Sequence, residues 1–458
     1  MPYTAVAVWL AAVVAWTTFL AGGVYRWVWV PAGCVLFALA LVTRPDVARQ
    51  PRSRFLDITL IGAVLACLAQ LLPAPAEWIQ QIDPQAIRVR TALWLPPTLA
   101  VADLPWIPIS IAPADTIAAA GILLSSILMF WICRRVCERG GTGRLIRAIV
   151  FMGLAASVAA IVQRAQRIDL LYGVWRPFDI GARPYGPFVN RNHLATWVVM
   201  ACPLAFGYLL ARAPQKGNPR HFSQRVADAL KQLGTIRIWV VVAVCVMTLA
   251  VLLSGSRSGV IGLMTAFALS AALTRGRATF PVRRWVIFQF ALLAVVILTF
   301  ANYDVLLRRL EESIARSEEG RGRIAIWSDA IRLAHDFPVT GTGAGTFGKA
   351  INVYQTAEPG YAIDQAHNHY LQLMAEGGAW LLVPAALATG FFLVLASSSL
   401  RQDPSPDYLI RAGACAGIAG VLVQSVWETG LTMPANALLF AILAAIATFD
   451  RAPQAGAS

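Results

Sequence analysis

Two imidazoles stand one residue apart in Ala366-His367-Asn368-His369-Tyr370-Leu371-Gln372, at the close of a long polar segment and just before an apolar run. Histidine titrates nearest neutrality, so a neutral ring here can take a proton from a hydroxyl group. A histidine pair at a membrane boundary can also do no more than bond water or lipid headgroups. The company favours chemistry: Arg191, Arg257, Arg321 and Arg323 all fall on the same expected side of the membrane.

Arg257 is the sharpest of these positions. It sits in a very short outer turn, Ser254-Gly255-Ser256-Arg257-Ser258-Gly259, where basic residues are disfavoured and small neighbours leave the guanidinium unshielded. A guanidinium can grip a phosphate in two-pronged fashion, or snorkel to lipid phosphate. Arg191 lies in Pro187-Phe188-Val189-Asn190-Arg191-Asn192-His193, where Asn190, Asn192 and His193 offer sugar-type hydrogen bonds. Asn192 could equally cap the helix that follows. Arg321 and Arg323 open an expected helix over 323–335, where a cation opposes the macrodipole and a bound anion would offset that cost. The glycines of Gly341-Thr342-Gly343-Ala344-Gly345-Thr346 lack the lysine–serine/threonine ending of a phosphate loop and read better as a tight turn. Asp364 could orient an imidazole or be a solvated loop acid. No acidic cluster with metal-ligand spacing appears, and neither a metal nor a cofactor is expected.

The elements that must hold these residues are membrane helices. The 458-residue chain is 58% hydrophobic and only 14% charged, against about 25% charged in soluble domains. Apolar runs long enough to cross a bilayer recur throughout. Twelve are expected, near 5–21, 27–43, 56–73, 116–133, 146–163, 194–211, 236–253, 258–274, 285–301, 378–398, 409–427 and 433–449. The fold class is therefore all-α: a polytopic membrane protein with a large, partly helical loop before the tenth helix. Residues 1–301 carry the first nine helices, 302–370 the loop, and 371–458 the last three with a tail.

More than half of the 38 basic residues cluster in the loops near 44–54, 134–147, 212–237, 275–284 and 401–451. Acids are sparse there, so these loops and both termini should face the cytoplasm. The net charge of +14 is thus mainly a topology signal and implies no nucleic-acid partner. The outer loops are residues 74–115, rich in Pro and Trp and suited to the membrane interface, residues 164–193, and residues 302–370. The last begins with a charged helical stretch from Leu306 to Glu319. All seven cysteines fall in expected spans or inner loops, so no disulfide framework is implied.

The short Ser-Arg-Ser-Gly turn, Arg323-x-x-x-Trp327, Pro338-x-x-Gly341-x-Gly343 and the His367-Asn368 motif stand in the order found in the O-antigen ligase superfamily, which the chain resembles over about residues 185–380. That superfamily also holds O-antigen polymerases and bacterial protein O-oligosaccharyltransferases. The resemblance implies an inner-membrane, metal-independent, inverting glycosyltransferase with a periplasmic site. The donor would be a glycan on a polyprenyl (undecaprenyl) diphosphate, and the acceptor a hydroxyl of lipid A-core in lipopolysaccharide biosynthesis. It assigns His367 as base, Arg257 and Arg323 as catalytic arginines, and Arg191 less securely to the donor. Arg321, Asn190, Asn192, His193, Asn368, His369 and Tyr370 are the expected substrate-binding residues. A polysaccharide or lipid transporter is the competing class, but it calls for polar residues at mid-span and repeated halves.

Overall fold

The computed structural model describes residues 2–93, 105–166, 170–178, 182–212, 235–275, 277, 318–356 and 362–450. In chain order the helices are α1 (Tyr3–Phe19), α2 (Arg26–Thr43), α3 (Arg54–Ala69), α4 (Ala76–Ile82), α5 (Ala86–Leu93), α6 (Pro113–Glu138), α7 (Thr142–Gln166), α8 (Arg191–Ala211), α9 (Thr235–Ser254), α10 (Arg257–Thr274), α11 (Glu318–Asp336), α12 (Phe347–Ala350), α13 (His369–Gln402), α14 (Asp407–Gln424) and α15 (Pro434–Thr448). Among the described residues, seven of these are long and apolar enough to cross a membrane, and α1 and α15 are shorter apolar helices. Every expected span within the described residues coincides with a helix. The expected ninth span (285–301) and most of the charged stretch from Leu306 lie outside them.

The bundle is organised on α8, which is apolar all round and buried over most of its length. Small residues bring α14 and α10 against it. A Cβ on Gly413 would fall 2.4 Å from the Pro203 carbonyl oxygen, and one on Gly207 2.3 Å from that of Leu409. A Cβ on Gly262 would lie 2.8 Å from the Gly420 carbonyl oxygen. Dispersion between closely apposed backbones holds helices together where no hydrophobic driving force acts between them. This seam puts the N-termini of α8 and α10 and the C-terminus of α14 at one end of the bundle. At the other end Arg134 grips the fully buried Asp57 through two nitrogens at 2.9 and 2.8 Å, with Trp131 Nε1 also 2.9 Å from that carboxylate.

Over the first end lies a second, smaller apolar core, drawing on Ile79, Val89, Ile107, Leu333, Phe337, Phe347 and Ile351. The Pro/Trp-rich segment therefore does more than rest at an interface. Its α4 and α5 share this core with α11 and α12 of the large loop, and it closes a short antiparallel pair, β1 (Pro73–Pro75) with β2 (Trp106–Pro108), in the register Ala74 to Ile107. Trp78 and Trp106 stay exposed, as interfacial tryptophans do.

α13 departs from expectation. It starts at His369, nine residues before the expected 378, and breaks at Gly378, whose φ of 51° and ψ of −156° are open only to glycine. The loop segment 338–343 fills the break. Ala379 N donates to Pro338 O and Trp380 N to Val339 O, both at 2.9 Å, while Thr342 N donates to Ala375 O at 3.0 Å and Gly343 N to Glu376 O at 2.9 Å. Gln70, the residue that caps the C-terminus of α3, completes the joint, donating to the carbonyls of Thr340 and Glu376 and accepting from Ala344 N. The glycine turn 341–346 does cradle a carboxylate, but an internal one. Glu376 accepts from Gly345 N at 2.8 Å, Phe347 N at 3.3 Å and Gln372 Nε2 at 3.0 Å.

Candidate active site

Three helices present basic residues at their first positions, each behind a side-chain cap. α8 starts at Arg191 behind Asn190, whose Oδ1 accepts from Asn192 N at 2.9 Å. The cap is therefore Asn190, two residues before the Asn192 that the sequence suggested; Asn190 alone has the extended backbone that a cap requires. α10 starts at Arg257 behind Ser256, whose Oγ accepts from Gly259 N at 3.2 Å. α13 starts at His369 behind Asn368, which accepts from both Tyr370 N and Leu371 N. A cation at N1, as at Arg191 and Arg257, opposes the macrodipole, and a bound anion would offset that cost. The first two termini touch: a Cβ on Gly255 would be 3.7 Å from Arg191 Nη1, and one on Gly259 2.6 Å from the Ala195 methyl. Arg257 is exposed and Arg191 half-buried beside it.

His367 lies just before α13 with φ at +49°, in the left-handed region that a non-glycine residue rarely adopts. Contacts on both sides hold it there. Trp327 Nε1 of α11 donates to Ala366 O at 3.0 Å, Thr429 Oγ1 donates to Gln365 Oε1 at 2.5 Å, and His369 N donates to Ser425 O at 2.9 Å. Such over-determined strain is typical of functional positions.

The His367 ring faces a carboxylate that reading the sequence missed. Its Nδ1 is 3.6 Å from Oε1 of Glu428, which is fully buried in the connection between α14 and α15. Burial pushes the Glu428 carboxyl up, but contact with His367 and the charges of His367, His193 and Arg323 outweigh it and hold the group below the usual carboxylate range. Glu428 thus gathers His367, His193 and Arg323 around one negative charge. Asp364 is not the partner: it is exposed and lies over Gly348, whose added Cβ would sit 3.3 Å from its Oδ1.

The remaining expected residues divide. His193 is buried at 3% exposure under Glu428, and its carbonyl accepts from Asn436 Nδ2 at 3.1 Å. Arg323 is half-buried on α11, one turn before Trp327. Arginine and tryptophan at i and i+4 share a helix face, so the helix that brings Arg323 to the site also fixes the peptide before His367. The sequence placed Arg321 and Arg323 at the start of this helix, but it is already formed at Glu318, so Arg323 stands in its second turn. Asn190 and Asn368 are used as caps. The exposed Tyr370 donates its hydroxyl to Leu422 O at 2.8 Å.

Residues 242–386 match the O-antigen ligase family. The chain carries an O-antigen ligase domain. That domain spans Arg257, Arg323, Trp327, the glycine turn and His367, whereas Arg191, His193 and Glu428 reach the same end of the bundle from outside it. No curated protein matches the sequence at a significant level. The apolar helices make this a multi-pass membrane protein, and its similarity to the O-antigen ligase family lies in the segment 242–386.

Proposed function

We propose that the protein transfers a glycan from a polyprenyl diphosphate carrier to an acceptor hydroxyl, as an O-antigen ligase acting on lipid A-core. The site end of the bundle would face the periplasm and both termini the cytoplasm, across the bacterial inner membrane. The observation that carries this reading is the meeting of the α8 and α10 N-termini, with Arg191 Nη1 within 3.7 Å of a Cβ position in the turn that presents Arg257.

Two amide-rich helix ends and two guanidinium groups suit a diphosphate. The charge on that leaving group grows as the anomeric bond breaks, so donors fixed at its position stabilise the transition state more than the ground state. Arg323 adds positive charge from the His367 side. His367 acts as base: the acceptor hydroxyl loses its proton to the ring as its oxygen attacks the anomeric carbon from the face opposite the diphosphate, giving inversion. Asn192 and the exposed Tyr370 are at hand for the sugar.

The test is purified protein with a labelled glycan on polyprenyl diphosphate and a lipid A-core acceptor. Label should move to the acceptor with one polyprenyl diphosphate released per transfer. Label gathering instead in longer lipid-linked chains would make the protein a polymerase, and intact donor would refute transfer.

A further inference from the structure

We infer that Glu428 is the positioning partner of His367, holding Nδ1 of the ring inward and presenting Nε2 to the acceptor hydroxyl. This deepens the transfer reading above and rests on it. Nothing in the sequence marks Glu428 except its isolation as the one acid between two apolar helices.

Geometry carries the inference. Glu428 is fully buried, and His367 keeps about a third of its side chain exposed. The two face each other at 3.6 Å, Nδ1 to Oε1. Nδ1 of His367 and Oε2 of Glu428 are both buried atoms without a hydrogen-bond partner. A carboxylate withdrawn from water must be paired, and an imidazole nitrogen withdrawn from water must be bonded. A few tenths of an ångström would bring the pair into bonding range, and catalytic contacts are often this loose before substrate binds. Because Nδ1 is buried, the exposed part of the ring lies on its other side.

The anchoring of the loop supports the same assignment. Two of the contacts that hold the strained His367 segment, from Thr429 to Gln365 and from His369 to Ser425, go to the 425–429 stretch that carries Glu428. One piece of chain thus fixes the backbone of the base and delivers its carboxylate. The charged groups facing Glu428 are His367 from the loop, His193 from α8 and Arg323 from α11.

In the reaction, the acceptor O–H proton passes to Nε2 as the oxygen bonds the anomeric carbon. The bond from that carbon to the diphosphate oxygen breaks, and its electron pair leaves with the diphosphate. Glu428 stays ionised throughout and stabilises the imidazolium, which later gives its proton to water or to the released diphosphate. A buried acid that fixes the tautomer of a general-base imidazole is a recurring arrangement.

The test uses the full-length protein in detergent. Glu428→Gln should lower kcat about a hundredfold, the lower end of what a general base supplies, with the donor KM within about twofold. It should also move the acid limb of the kcat–pH profile to lower pH, because the substitution removes the facing negative charge that favours the protonated ring. Carbethoxylation of His367 against pH, read by mass spectrometry, should show the same displacement without any turnover. An acid limb and a carbethoxylation midpoint that both stay at the wild-type pH would overturn the assignment. If Glu428→Gln does not accumulate, Glu428→Asp keeps the charge and draws it back by one methylene. It should lose about tenfold in kcat with a smaller shift in the same direction, and wild-type values in both would again overturn it. Turnover by His367→Ala would instead defeat the transfer mechanism, while the carbethoxylation midpoint would still report on the pair.

Discussion

The indole nitrogen of Trp327 donates to the carbonyl of Ala366 at 3.0 Å, so α11 fixes the peptide that immediately precedes His367. The same helix carries Arg323 one turn earlier, and its charge helps hold Glu428 ionised. The Arg-x-x-x-Trp spacing therefore has a physical reading: it couples the placement of a positive charge to the placement of His367.

Trp327→Phe tests this coupling. It keeps the packing and removes one hydrogen bond, worth about 1 kcal/mol, so kcat should fall roughly five- to tenfold with the donor KM unchanged. Steady-state kinetics on the purified variant check it. A changed KM with normal kcat would place Trp327 in donor binding.

Arg257→Ala should remove about 2–4 kcal/mol of transition-state stabilisation, seen as a loss of hundredfold or more in kcat. Arg257→Lys should recover little, because an ammonium cannot make the two-pronged contact of a guanidinium. Arg191→Ala should be non-additive with it, since both side chains border one turn. Additive losses in the double variant would assign the two arginines to separate groups.

Gly378→Ala addresses the joint between loop and bundle. The substitution puts a side chain at φ 51° and a Cβ 2.6 Å from the Val339 carbonyl oxygen. The backbone term alone costs about 1–3 kcal/mol, and the clash adds to it. Thermal unfolding in detergent should show a clear drop in Tm, whereas Gly390→Ala, with nothing near its added Cβ, should not.

The pH dependence of stability follows from Glu428. Its folded-state pKa is depressed, so its contribution is fully present above the ordinary carboxylate range and is lost as pH falls through the depressed value. Wild-type Tm should decline on acidification, and Glu428→Gln should flatten part of that decline. Equal slopes for the two proteins would show that Glu428 is not held ionised in the folded state.

Apolar runs, Arg257 and the His-Asn motif stand out in the sequence, each against a strong local rule: hydropathy for the runs, the positive-inside bias for Arg257, and two imidazoles at the edge of an apolar run for the motif. Glu428 broke none. A single acid after Trp427 at the end of an apolar run looks like any boundary residue until α14 is folded against α8. The start of α13 was hidden for a related reason. Residues 369–377 are mixed polar and apolar and earn no span on hydropathy, yet Asn368 caps them and Glu376 anchors them to the glycine turn. Asn190 and Asn192 could not be told apart as caps by residue type, since only backbone conformation separates them.

Transfer by the two histidine variants decides whether His367 is the base. Purified wild type, His367→Ala and His369→Ala would be given a polyprenyl-diphosphate-linked glycan and lipid A-core, with donor binding measured in parallel. His367→Ala should bind donor normally and lose about a hundred- to ten-thousand-fold in turnover, while His369→Ala should keep most of its activity. Near-normal transfer by His367→Ala, whatever His369→Ala does, would contradict the assignment of His367 as the base.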